Sequence, residues 1–170
     1  MATVTLKFRD WEFEVDKQLT EQTYKKISGS GADGCACDDC KNYVAFRNEV
    51  FPDEVQKLFV DLGIDFRKEV EVTSLETLPN GLHCIAGWFH FKGKVIRGND
   101  YRLPLLGGGY TFDLTKITEN FEIGFAEGSA LTFFEDKEGL VQIEFMTYVP
   151  WVINKVSSQV ELFDTFYLAA

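Results

Sequence analysis

Leu140-Val-Gln-Ile-Glu-Phe-Met-Thr-Tyr-Val149 alternates cleanly: Val141, Ile143, Phe145, Thr147 and Val149 fall on one side, and Gln142, Glu144 and Tyr148 on the other. A period of two with one apolar and one polar side is the mark of an antiparallel strand that buries one face. The residues before it repeat the theme. Glu69 to Leu78, Leu82 to Phe91, Lys94 to Arg97, Tyr101 to Leu106, Tyr110 to Leu114, Phe121 to Ala126 and Leu131 to Glu135 read as strands. Pro79-Asn80-Gly81, Lys92-Gly93, Gly98-Asn99-Asp100 and Gly107-Gly108-Gly109 punctuate them as turns, giving a meander. Pro104 cannot donate to a ladder and predicts an edge or a strand end.

Near the N-terminus Val4, Leu6 and Phe8 alternate, and the phase then flips to Trp11, Phe13 and Val15, which places a two-residue hairpin turn at Arg9-Asp10. Asp16 can cap a short exposed helix or an extended excursion reaching Ile27. Gly29 to Gly34, with three glycines in six residues, predicts a flexible loop. Asp38 or Asp39 then caps a helix through Tyr43, Phe46 and Val50. A second helix starts at Pro52, carries Asp53 and Glu54 at its positive end, shows Val55, Leu58, Phe59 and Leu62 on one face, and stops at Gly63. The expectation is an α+β fold in one domain over 1–170: an antiparallel sheet, able to curl into a partial barrel or sandwich, with a helical pair over about 38–63 between the hairpin and the meander.

The chemistry-bearing stretch is Gly34-Cys-Ala-Cys-Asp-Asp-Cys40, which holds three of the four cysteines. Cys37-x2-Cys40 is a spacing at which a tight turn aims two thiolates at one tetrahedral ion, and Cys35 is close enough to be a third ligand. A fourth donor has to come from elsewhere. Cys84 is the first choice, as a thiolate suits zinc and would tie the helices to the sheet; His83 and His90 are the alternatives. Along the strand from Leu82, Cys84 and His90 share one face and His83 takes the other. Four protein ligands leave no place for water, so zinc here would be structural. A second reading makes Cys37 and Cys40 a thiol-disulfide pair at a helix N-terminus, weakened by the intervening Asp38 and Asp39 and by the absence of a βαβ unit. A third leaves the thiols as small apolar side chains.

Other sites are discounted. Cys84 and His90 stand six residues apart, roughly 20 Å along a strand, too far for a nucleophile and its base. The triple glycine lacks the Lys-Ser/Thr of a phosphate loop. Glu122, Glu135 and Glu144 could pair as acid and base but are expected to be solvated. The aromatics of Gly87 to Phe91 and Tyr148 to Val152 are expected to pack in the core.

Composition narrows the classes. The chain has 170 residues, a net charge of −10 and sixteen Phe, and acidic residues outnumber basic ones both before and after Val70. Without clustered Lys and Arg, neither nucleic acid nor an anionic membrane is an expected partner; a protein or a small molecule is. No stretch reaches the ~18 apolar residues of a membrane span and none near Met1 resembles a secretion signal, so a cytoplasmic location is expected, where thiols stay reduced.

With Cys37-x2-Cys40-x-Asn42, Phe51-Pro52, Leu62-Gly63-Ile64-Asp65, Gly87-Trp88-Phe89-His90-Phe91 and Val149-Pro150-Trp151-Val152, the chain resembles a family of short bacterial proteins of uncharacterised function. The resemblance spans roughly Cys35 to Ile153. It implies a single-domain cytoplasmic bacterial protein and brings no activity. The expectation is a non-enzymatic binding or interaction protein with structural zinc; the alternatives are a thiol oxidoreductase and a binder of a small ligand inside a curled sheet.

Overall fold

The computed structural model describes residues 3–128 and 131–154. Trp11 packs on Phe8 and Phe125 across a hairpin of β1 (Val4–Phe8) and β2 (Trp11–Val15), whose turn places Arg9 at φ 50°. The Arg9 guanidinium donates to both carboxylate oxygens of Glu54 at 3.1 and 2.7 Å and so ties the turn to the helical layer. That layer comprises α1 (Lys17–Lys26), α2 (Asp38–Phe46) and α3 (Asp53–Leu62). Asp16 caps α1 by accepting the Leu19 N–H at 2.9 Å, which settles its helical form. Gly63 ends α3 at φ 83°, where a Cβ would meet the Lys17 carbonyl at 2.7 Å.

The strands that follow are β3 (Glu71–Thr77), β4 (His83–Arg97), β5 (Arg102–Pro104), β6 (Tyr110–Phe112), β7 (Thr115–Thr118), β8 (Phe121–Glu127) and β9 (Leu140–Val149). The order across the sheet is β1-β2-β4-β9-β8-β7, with β3 also paired to β4 and with β5-β6 as a separate ribbon. The fold is α+β with a mostly antiparallel sheet that does not close into a barrel. It is not a plain meander, because β9 enters between β4 and β8.

Lys92-Gly93, expected as a turn, lies inside β4. Glycine is required there by close approach: a Cβ on Gly93 would sit 2.2 Å from the Glu14 carbonyl of β2. One edge of β4 thus meets β3 over its first half and β2 over its last part. Between the two, α1 supplies the partners. The Tyr24 hydroxyl donates to the His90 carbonyl at 3.0 Å and accepts the His90 N–H at 3.2 Å, and Thr20 Oγ1 accepts the Lys92 N–H at 3.0 Å. The His90 N–H and carbonyl and the Lys92 N–H are thus satisfied by side chains in place of a strand, and the Lys92 carbonyl accepts the Asp16 N–H at 2.8 Å.

Alternation sends Phe89, Phe91, Ile123, Phe125, Ile143 and Phe145 to the helical face. There they meet Tyr43 of α2, Phe59 of α3 and Phe51, whose ring contacts five others. The interior that a curled sheet could have offered to a ligand is filled by these rings. The opposite face is not simply solvated. Glu144, expected in water, is 4% exposed: Tyr101 lies over it, with Gln142 donating to its carboxylate at 2.9 Å. Leu131 to Glu135, expected as a strand, is irregular. Its backbone instead caps the second face, where Trp88 Nε1 donates to the Leu131 carbonyl at 3.1 Å and Phe134 is buried. The expected single domain over 1–170 includes residues outside those described.

Candidate metal centre

The loop before the cysteines is held, not free. Ser30 and Asp33 bond reciprocally, the Ser30 N–H to Asp33 Oδ2 at 2.9 Å and the Asp33 N–H to Ser30 Oγ at 3.1 Å. The Gly31 N–H donates to the Glu69 carbonyl at 2.9 Å, and a Cβ on Gly31 would lie 2.3 Å from the Val70 carbonyl, so the loop's glycine serves close approach. Arg47, at the end of α2, reaches back with Nη1 to Ser30 Oγ at 3.0 Å and to Glu69 Oε2 at 3.5 Å. Burial pushes the Glu69 carboxyl upward, opposed by its hydrogen bonds and by the Arg47 charge.

This seat delivers Cys35, whose N–H bonds the Ala32 carbonyl at 3.1 Å, to the start of α2. Cys37, not Asp38 or Asp39, is the N-cap: its Sγ accepts the Cys40 N–H at 3.4 Å, while both aspartates occupy the first turn. One helical turn then returns Cys40 beneath the other two. The three Sγ atoms lie within 4.8 Å of one another, with Cys35 and Cys37 in contact at 3.2 Å, and all the cysteines are free thiols. A tetrahedral ion with sulfur ligands at ~2.3 Å needs sulfurs ~3.8 Å apart, so small side-chain shifts would make these three one face of such a site.

The protons resist this arrangement without a cation. Hydrogen bonds from Cys37 pull the Cys35 thiol below its ordinary value, whereas burial and then the other two sulfurs push the Cys40 thiol far up. Three thiolates together are thus unfavourable until a positive charge is shared among them.

Of the fourth donors expected from sequence, none joins this group. Cys84 faces away: odd-numbered residues of β4 meet the helices, and Cys84 sits with Tyr148, its thiol pushed up by burial. His90 lies on that same far face, fully buried. His83 alone is on the side of α2. Its Nδ1 is 3.7 Å from Asp39 Oδ1 and 3.3 Å from Thr77 Oγ1, and its ring stands 4.8 Å from that of Trp151.

No family model, curated protein or solved structure matches the chain. The cysteine corner stands on its own geometry.

Residues quoted in the sequence only for the resemblance, with no role at the site, complete that corner. Asn42 Nδ2 donates to the Pro150 carbonyl at 2.9 Å, and its Oδ1 accepts the Val152 N–H at 2.6 Å and the Ile153 N–H at 3.3 Å. The Cys-x-Asn and Val-Pro-Trp-Val segments, far apart in the chain, therefore meet beside His83. Their shared concentration of unusual residues was the available signal. A cleft of about 320 Å³ between α1 and α3, lined by Lys17, Glu21, Tyr24, Val60, Gly63 and Lys68, lies away from the cysteines. Among the described residues no helix is long and apolar enough to cross a membrane.

Proposed function

We propose that Cys35, Cys37 and Cys40 hold a metal ion, with zinc the ion that suits a thiolate-rich tetrahedral site, and that the ion secures the corner of a non-enzymatic binding or interaction protein. The observation that carries this is the convergence of three Sγ atoms within 4.8 Å with no disulfide among them. The fourth ligand we assign is His83, because it shares the side of α2 and approaches Asp39 inside the Cys37–Cys40 turn, whereas Cys84 faces the other side of the sheet. With the imidazole on the ion, Asp39 or Thr77 would orient the ring through Nδ1. The ion would link the Gly-rich loop to the first residue of β4.

Elemental analysis of protein purified without chelator should find one zinc per chain. Cobalt substitution should give a spectrum of three thiolates and one nitrogen that changes in His83→Ala and is unchanged in Cys84→Ser. Chelator competition should show His83→Ala weakening the ion by more than the roughly 10–100-fold typical of losing an outer-shell partner. Metal-free protein in every preparation, with zinc added in excess still not retained, sinks the proposal.

A further inference from the structure

We propose that Cys35 and Cys37 form the oxidisable pair of this cluster: a hydroperoxide joins them in a disulfide, which opens the metal site, while Cys40 remains a thiol. This rests on the metal reading above and names its regulation. The two sulfurs are in contact at 3.2 Å, and both residues are exposed. Closing a disulfide requires them to approach to ~2.05 Å. Cys35 precedes α2 and Cys37 only caps it, so that approach sacrifices a single long N–H to sulfur bond from Cys40 at 3.4 Å and no helical turn. Cys40 is different: it is buried, and its backbone is inside α2. Cys84 is buried on the far face of the sheet and does not compete.

The chemistry balances with a hydroperoxide as the only oxidant. One thiolate of the pair attacks the peroxide oxygen, an S–O bond forms as the O–O bond breaks, and hydroxide leaves and takes a proton to become water. The second thiolate then attacks that sulfur, the S–S bond forms as the S–O bond breaks, and the departing hydroxide takes a second proton. Two electrons pass from the two sulfurs to the peroxide. An ion that has lost two of its three thiolates is released.

The test treats the zinc-loaded full chain with one equivalent of hydrogen peroxide, follows zinc with a chromophoric chelator, and maps the cysteines by mass spectrometry. The expected result is loss of two hydrogens in the peptide holding Cys35 and Cys37, about one zinc freed per disulfide, and reversal by dithiothreitol. Cys40→Ser should still form the disulfide, and Cys35→Ser and Cys37→Ser should not. A disulfide from either residue to Cys40, or zinc retained with no Cys35 to Cys37 disulfide, overturns the proposal. Metal-free protein run in parallel separates the two ideas: the disulfide forming in a chain that never retains zinc keeps the pair but removes the metal reading.

Discussion

Burying an imidazole with neither nitrogen hydrogen-bonded costs free energy, and His90 is such a residue. Its cross-strand neighbour Gln142 helps too little, since its amide nitrogen serves Tyr101 and Glu144. Burial lowers the His90 pKa to about 4, against ~6.5 in an unfolded chain. Between those values the unfolded chain takes up a proton that the folded one refuses, so this residue makes stability rise with pH from about 4 to 6.5 and fall on acidification. Glu144 and Glu69, both raised by burial, act in the opposite sense as they become protonated. Denaturant unfolding at several pH values should show His90→Leu with a flatter profile across that window than the parent and no loss of stability near pH 7.5; an unchanged slope would contradict it. Strand alternation in the sequence correctly placed Glu144 opposite Phe145. It could not say that Tyr101 would come to lie over that face, because no local pattern encodes what a distant loop covers.

Among the elements, β4 and the loop before α2 show glycine working by close approach. A turn and a tight backbone contact place the same demand on a residue, the absence of a Cβ, so Lys92-Gly93 was legible as special but not as strand. Gly93→Ala would drive a methyl into the Glu14 carbonyl, 2.2 Å away, and should cost about 2 kcal/mol or more by separating β2 from β4; thermal unfolding measures it. Gly31→Ala meets the Val70 carbonyl at 2.3 Å and should unseat the loop that delivers Cys35. Its expected signature is a fall in zinc affinity in chelator competition, with near-ultraviolet circular dichroism of the aromatic core largely kept. Helix α3 was the most readable element, announcing itself through Asp53, Glu54, its apolar face and Gly63, whereas α1 could be read only as a short helix or an extended excursion. The cap of α2 was missed because cysteine is not a habitual cap, and only the fold reveals that Cys37 Sγ faces the Cys40 N–H.

At the scale of the molecule, an ion bridging Cys35, Cys37 and Cys40 to His83 would fasten the helical layer to the sheet at one corner. Ligand linkage then predicts that a chelator lowers the melting temperature, by an amount equivalent to about 2.7 kcal/mol where free zinc had stood at 100 times its dissociation constant. Calorimetry with and without chelator checks this, and equal melting temperatures would count against a structural ion. The α+β class and the antiparallel pairing followed from periodicity and turn residues. The strand order did not, because alternation fixes which way a residue points and not which strand lies beside it. That order sets the schedule of folding. Strand β9 lies between β4 and β8, pairing Phe89 with Ile143 on one side and Phe125 with Ile143 on the other. A ribosome making this chain must therefore release Val149 before the two flanks of the sheet have anything to join them. Until then β4 and β8 each present an open edge, and the nascent chain's dependence on chaperones should be greatest just before β9 emerges.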